Sequence, residues 1–130
     1  MEPVWLTIEI VRAIHAESVA EFGGDAELRD PGLLESALDR PRNLLAYGDD
    51  PSIYELAAAY CAGIVRNHPF IDGNKRAGVL AAAVFLDLNG VEFRPAEAEV
   101  VTVIMALAAG EIDDAVVARW LADNSQPRDA

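Results

Sequence analysis

The chain has 130 residues, 52% of them hydrophobic, and its 22 acidic residues outnumber 10 basic ones to give a net charge of −12 at pH 7. This charge argues against direct nucleic-acid binding, which needs a basic patch. No apolar run approaches the roughly 20 residues that span a membrane, and one cysteine, Cys61, excludes an internal disulfide. The length and the 23 alanines predict a single all-α domain, and the lack of a basic segment at the start predicts a cytoplasmic protein without a signal peptide.

The first two helices are predicted from their start and stop signals. Thr7 is a side-chain cap ahead of an amphipathic stretch, and the glycines at 23–24 end that stretch. Asp30–Pro31 places a cap and a proline at the start of a second helix. Pro41 should end this helix, because proline clashes with the preceding turn, and residues 43–51 are then a loop.

The third helix is predicted to begin with a capping box, in which Ser52 and Glu55 each bond the backbone N–H of the other. It should stop near Asn67, because Pro69 disfavours the helical conformation of the residue before it. A short loop over residues 69–73 follows.

The fourth helix, predicted over residues 74–89, is almost entirely apolar after its first turn. A helix that is apolar on all sides is a buried one, so we expect it at the centre of the fold. Residues 91–94 form a short extended connection, and Pro95 and Asp113 open a fifth and a sixth helix.

These elements predict a compact bundle of about six helices. No internal repeat, linker or low-complexity segment divides the sequence. We therefore expect a single domain over residues 1–124, followed by a frayed tail over residues 125–130.

The segment HPFIDGNKRAG, residues 68–78, joins the third and fourth helices and contains Lys75, the only lysine in the chain. Lys75 and Arg76 lie at a helix start, where positive side chains oppose the helix dipole at a cost of a few tenths of a kcal/mol each. Free backbone N–H groups at residues 73–76 form an anion site there, and Gly73 allows them to converge. The helix dipole, the amides and both cations would all attract the same phosphate chain, so the segment predicts a phosphate site.

Three further side chains of this segment suit a phosphoryl- or nucleotidyl-transfer centre. His68 carries an imidazole, which can take a proton from an attacking hydroxyl. Asp72 is a single carboxylate beside the phosphates, which suits Mg2+, and Asn74 can cap the helix and donate to a phosphate. The simpler alternatives are that Asp72 only caps the helix, that Arg76 pairs with an acid elsewhere, and that the segment is an ordinary connection between helices.

Packing roles are expected for several other residues. Phe70 and Ile71 are expected to anchor the loop to the core, and His15, on the first helix, to be structural. Cys61 lies among alanines in the middle of a helix, so we expect it to be buried and inert.

The nine residues HPFIDGNKR resemble the Fic-domain motif, whose usual form is HPFx(D/E)GNGRxxR. Lys75 stands in place of the second motif glycine, and Val79 in place of the final arginine. The lysine form is similar to the death-on-curing (Doc) branch, the toxins of Phd-Doc toxin–antitoxin pairs. The stretches EFGGDAELRDPGLLESALDRP and FLDLNGVEF are similar to the same branch, so the resemblance covers residues 5–121.

The resemblance implies an all-helical fold with the motif loop between two central helices, and it implies ATP with Mg2+ as cofactors. Site roles carried over by position make His68 the catalytic base and Asp72 the Mg2+ ligand. The implied nucleotide-phosphate site consists of Gly73, Asn74, Lys75 and Arg76.

A toxin kinase is the activity implied: it would transfer a phosphoryl group from ATP to a protein hydroxyl, expected to be a threonine of elongation factor Tu, and so arrest translation. A Phd-like antitoxin is the implied partner. Two alternatives stay open, because relatives with the full motif transfer AMP instead, and because a chain without the final arginine could be a non-catalytic antitoxin- or nucleotide-binding module. Lys75 favours phosphoryl transfer, since its side chain fills the space in which an α-phosphate would lie against a glycine.

Overall fold

The computed structural model describes residues 2–128, which form six helices and a small antiparallel sheet of two strands. The helices are α1 (Ile8–Phe22), α2 (Pro31–Tyr47), α3 (Ile53–Asn67), α4 (Asn74–Leu88), α5 (Glu97–Ala108) and α6 (Asp114–Asp123), and the strands are β1 (Val91–Phe93) and β2 (Ser125–Pro127). The predicted helical bundle is confirmed. Within the described residues, no helix is both long and apolar enough to cross a membrane.

The side-chain caps that the sequence indicates are present at four helix starts. Thr7, Asp30, Ser52 and Asp113 each accept a hydrogen bond from a backbone N–H in the first turn of the helix that follows. The reciprocal capping box at the start of α3 is complete. These caps fix where the helices begin because they satisfy N–H groups that have no partner within the helix.

α3 is the central helix, since every residue from Leu56 to Val65 is buried. α2, α4 and α6 pack around it. We expected the fourth helix in this central position. α4 instead buries the side that faces α3. On its other side, Leu80 and Val84 stay partly exposed in a groove beside α1, because α1 covers that face incompletely.

Small residues allow α3 and α4 to approach each other closely. A Cβ atom on Gly78 of α4 would lie 2.8 Å from the Val65 Cγ2 atom and 3.0 Å from the Cys61 carbonyl oxygen. Such distances leave no room for a side chain. The spacing between the end of α3 and the start of α4, where the motif loop lies, is therefore fixed by the core.

The prediction that Pro41 ends the second helix is wrong. α2 continues through Pro41 to Tyr47, so the predicted loop over residues 43–51 is helical in its first half. Proline removes one hydrogen bond from a helix interior. Continuation of the helix offsets this loss, because Pro41 is itself buried and the next turn brings Leu44 and Leu45 against the core.

The tail that we expected to fray is ordered as far as residue 128. Ser125–Pro127 pairs with β1, and the Arg128 N–H donates to the Gly90 carbonyl at 2.9 Å. Pairing satisfies the backbone groups of β1, which would otherwise be an unpaired edge. Residues 129 and 130 lie outside the described residues.

Candidate active site

The loop between α3 and α4 borders a cavity of about 410 Å³. The cavity brings together all six residues that the sequence singled out, His68, Asp72, Gly73, Asn74, Lys75 and Arg76, and its wall is completed by Val65 and Ala108. Two helix ends meet here, the carboxyl end of α3 and the amino end of α4. The site is thus built on rigid elements, although His68, Asp72, Lys75 and Arg76 are exposed to solvent.

The amino end of α4 has the features of an anion site. Gly73 is the N-cap residue in the left-handed conformation (φ 75°, ψ 19°), and no side chain caps the helix. Because the first helical bond is the one from Ala77 N–H to the Gly73 carbonyl, the amides of the preceding turn have no acceptor within the helix. Lys75 is exposed beside these amides and lines the cavity.

His68 is the C-cap residue of α3 and is exposed at the cavity. Its backbone lies in the left-handed region (φ 54°, ψ 53°), which residues other than glycine rarely adopt. Such a conformation costs about 1–3 kcal/mol and persists only where neighbouring groups hold it. It ends α3 abruptly and places the imidazole at the mouth of the cavity.

Asp72 supplies the acidic side chain among the described residues that line the cavity. Its Oδ1 atom accepts a hydrogen bond of 2.9 Å from the Gly73 N–H. Its Oδ2 atom lies against Gly24, where a Cβ would be only 2.8 Å away. One exposed carboxylate beside an anion site fits Mg2+, which takes one or two carboxylates together with phosphate oxygens and water.

Asn74 is engaged with the loop itself. Its side chain is buried, and it both accepts from the Phe70 N–H and donates to the Phe70 carbonyl, each at 2.9 Å. The helix cap is Gly73, so the capping role that we expected for the Asn74 side chain is not the one it has. Its backbone N–H lies in the first turn of α4 and has no acceptor within the helix.

Arg76 contacts an aromatic ring. Its guanidinium lies 4.1 Å from the ring centroid of Phe22 at the end of α1, and the residue also lines the cavity. The contact is a cation–π interaction. Arg76 therefore stacks on Phe22 and is not paired with an acid among the described residues.

His15 is structural, as expected, but its partner is the motif loop. The imidazole is buried, stacks on Phe70 with ring centroids 3.7 Å apart, and donates from Nε2 to the Asp72 carbonyl at 2.7 Å. Phe70 is buried as predicted, whereas Ile71 is 45% exposed, so its predicted anchoring role is wrong. The Asp72 contact spans 57 positions of sequence, and no local pattern could have revealed it.

Arg29 is a contributor that the sequence reasoning missed. Its guanidinium donates to the His68 carbonyl at 2.8 Å and to the Asn67 carbonyl at 3.0 Å. The signal in the sequence is weak, since Arg29 is one of nine arginines and lies in a connection between helices.

Reactive groups elsewhere are accounted for by packing or pairing. Burial raises the pKa of the Cys61 thiol to about 12, so the thiol is neutral at physiological pH, as expected of an inert core residue. A groove of about 570 Å³ between α2, α3 and α6 contains Asp114. That carboxylate is already paired with Arg40 at 2.9 Å and with Arg66 at 2.6 Å.

The chain is similar to known proteins over most of its length. Residues 5–86 match the model of the Fic/DOC family. The chain is 46% identical over 79 residues to "Toxin Doc" of Mycolicibacterium smegmatis, a match that covers 59% of this chain and spans 59% of that relative's length. It is 32% identical over 109 residues to "Protein kinase doc" of Escherichia phage P1, covering 84% of this chain and 86% of the relative.

The engagement of Asn74 with Phe70 generates a prediction about stability. Asn74→Ala leaves the buried N–H and carbonyl of Phe70 without partners, each at a cost of about 1–3 kcal/mol. We expect urea unfolding to show that the free energy of unfolding falls by roughly 2–5 kcal/mol. Asn67→Ala is the matched control. Asn67 lies at the other end of the motif loop, and its side chain makes one hydrogen bond, to the Leu33 carbonyl of α2. An equal loss in the two variants would contradict this role of Asn74.

Proposed function

Because the chain belongs to the Fic/Doc family, we propose that it is a Doc-like toxin that transfers the γ-phosphoryl group of ATP to a hydroxyl group of a protein. The observation that carries the proposal is the cavity at the start of α4. It gathers a candidate base, a candidate metal carboxylate and two cations around free helix amides. These are the parts that phosphoryl transfer requires, since its catalysis consists of positioning and charge stabilisation.

The triphosphate of ATP would bind at the amino end of α4. The uncapped amides of Asn74, Lys75 and Arg76 point towards a ligand at the helix start, and the helix dipole adds a partial positive charge equivalent to about half a proton. Gly73 in its left-handed conformation brings the chain close to the phosphates without a side chain in the way. Lys75 and Arg76 supply full charges, so the electrostatic cost of placing cations at this helix end becomes a gain.

Asp72 would hold the Mg2+ ion that accompanies ATP. The ion supplies charge neutralisation on the phosphate oxygens. The Asp72 carboxylate fits this role because it is exposed at the cavity and one of its oxygens is already oriented by the Gly73 N–H. Gly24 leaves room for the carboxylate in this position, since any larger residue there would push against its Oδ2 atom.

His68 would be the general base. Its imidazole takes the proton of the substrate hydroxyl as the hydroxyl oxygen bonds to the γ-phosphorus and the bond to the β-phosphate oxygen breaks, releasing ADP. The exposure of His68 suits a protein substrate, whose hydroxyl must reach the site from solvent. Histidine is the side chain used most often for proton transfer of this kind.

Phosphoryl transfer is favoured over adenylyl transfer by two residues. The Lys75 side chain occupies the helix start where the usual motif has glycine, so it fills the space that an α-phosphate would need against the backbone. Val79 packs against the core in place of the final arginine, which leaves that position without a cation. The name "Protein kinase doc" of the phage relative supports the same choice.

A threonine of elongation factor Tu is the substrate that we propose, with arrest of translation as the consequence. The name "Toxin Doc" of the other relative supports a toxin. We propose that a Phd-like antitoxin is the partner that holds it in check. ATP and elongation factor Tu are both cytoplasmic, so we propose that the protein acts in the cytoplasm.

The direct test is to incubate the protein with elongation factor Tu and Mg-ATP and to determine the mass of the target. We expect addition of one phosphate, and we expect His68→Ala to slow the reaction roughly 100- to 10,000-fold, because the base is lost. Calorimetry should show that His68→Ala still binds ATP. Addition of AMP would instead support the adenylyltransferase, and ATP binding without modification of the target would support a binding module.

Lys75 is predicted to contribute directly to ATP binding. Hydrogen bonds to charged groups are worth about 1.5–3 kcal/mol, so Lys75→Ala should raise the Kd for ATP about 10- to 100-fold. Arg128→Ala is a control for the change in net charge, since Arg128 pairs with Asp87 away from the cavity. Lys75→Gly should impair phosphorylation as well, and unchanged phosphorylation by that variant would overturn the role given to the lysine.

The two glycines at the end of α1 provide a test of the metal carboxylate. Gly23 and Gly24 both have positive φ, 88° and 118°, so alanine is strained at either position. Only at Gly24 would the new Cβ meet Asp72, because nothing lies within 4 Å of a Cβ at Gly23. We expect Gly24→Ala to raise the Mg2+ concentration needed for tight ATP binding about tenfold or more. A tenfold change is a loss of about 1.4 kcal/mol in the free energy of Mg2+ binding. Calorimetry of ATP with and without Mg2+ measures this, and an equal shift in Gly23→Ala would count against it.

A further inference from the structure

The conformation of His68 needs an external support. A histidine with positive φ is held against its own backbone preference, at a cost of about 1–3 kcal/mol. The following residue, Pro69, adds a further restriction, because the residue before a proline prefers extended conformations. Without contacts that hold it, this point of the chain would relax and move the imidazole.

Arg29 provides such contacts to successive carbonyl groups. Its Nε atom donates to the His68 carbonyl at 2.8 Å, and its NH2 group donates to the Asn67 carbonyl at 3.0 Å. The backbone N–H groups of Arg29 and Asp30 both donate to the Pro69 carbonyl, at 2.7 and 2.9 Å. The carbonyls of Asn67, His68 and Pro69 are therefore all bonded to the adjacent residues Arg29 and Asp30.

The guanidinium is well suited to this position. Its donors form a rigid fork that can meet two acceptors at once, and its charge is favourable at the carboxyl end of α3, where the helix dipole is negative. Bonds from a charged donor are about twice as strong as those between neutral groups.

Arg29 is itself fixed by the segment that carries it. Leu28 forms an antiparallel bridge with Phe70, and the Ile71 N–H donates to the Glu27 carbonyl at 3.1 Å. The next residue, Asp30, caps α2. Residues 27–30 thus lie along the motif loop like a short strand, with both ends anchored.

We propose that Arg29 is a positioning residue that holds the His68 backbone in its left-handed conformation and thereby directs the imidazole at the substrate hydroxyl. This inference rests on the proposed function, in which His68 is the base. Arg29 does not line the cavity, so in this arrangement it acts through His68. Its loss should therefore lower kcat and leave ATP binding unchanged, since a misplacement of about 1 Å can cost about 100-fold in rate.

The test compares Arg29→Ala with Arg66→Ala. Arg66 is also exposed and lies in the last turn of the same helix, but it pairs with Asp114 and not with the loop carbonyls. We expect Arg29→Ala to lower kcat about 10- to 100-fold with the Kd for ATP within about twofold of wild type, and Arg66→Ala to leave both near wild type. Arg29→Lys, which keeps the charge but not the fork, should be intermediate. Added guanidinium ion should restore part of the activity of Arg29→Ala. Equal kcat values for the two alanine variants would overturn the proposal.

A measurement on His68 itself separates this inference from the proposed function. The chain has two histidines, His15 and His68, so their imidazole NMR signals are readily assigned. We expect the His68 signal to shift or broaden in Arg29→Ala and to stay in place in Arg66→Ala, with His15 unchanged in both. If wild-type protein does not transfer phosphate, the proposed function fails, and these signals still decide whether Arg29 holds His68. An unmoved His68 signal in Arg29→Ala would refute the inference whatever the activity.

Discussion

The hydrogen bonding of one short loop is the constraint on which the site depends. Residues 69–73 reverse the chain between α3 and α4, and their polar backbone lies partly inside the core, where each unpaired group costs about 1–3 kcal/mol. Three different parts of the chain satisfy it: the Asn74 side chain, the His15 side chain and the segment 27–30. Because the loop is bonded by these groups, it need not use the first-turn amides of α4. Those amides have no acceptor within the helix, and the proposed function assigns them to the phosphates.

Charge at the site has to be understood locally, since the whole chain carries −12. ATP is itself strongly negative, and a uniformly acidic protein would repel it. Screening limits this repulsion, because the Debye length is about 8 Å at physiological ionic strength. For an ATP molecule bound as proposed, groups within a few ångströms of the phosphates would therefore dominate. Lys75, Arg76 and the helix dipole would act there against a single carboxylate among the cavity-lining residues, Asp72. A magnesium ion held by that carboxylate would turn even this unfavourable contribution into a favourable one.

The sequence predicted what is encoded locally and missed what depends on distant contacts. Side-chain caps such as Thr7 and Ser52 act within three residues, so the helix starts were predictable. Pro41 was misjudged because the benefit of continuing α2 comes from packing against other helices, which a local rule does not include. The motif residues form one continuous segment and could be identified by its resemblance to the Fic motif. The groups that hold that segment, His15 and Arg29, contact it across 57 and 39 positions. A positive φ at His68 is likewise a property of the assembled loop.

The core of the protein determines how far His68 lies from the uncapped amides at the start of α4. His68 ends α3, and the free amides begin α4, so the packing of these two helices sets the separation of the two groups. Gly78 permits that packing, because any side chain there would collide with Val65 or with the backbone at Cys61. A separation fixed in this way cannot adjust to whichever phosphate of a nucleotide is to be attacked. In the proposed function, the group that reaches His68 would then be selected by how the nucleotide lies along the helix start, where the Lys75 side chain would take the space that an α-phosphate needs. Within the proposed function, rigid packing and one substituted side chain together account for a preference for the terminal phosphate.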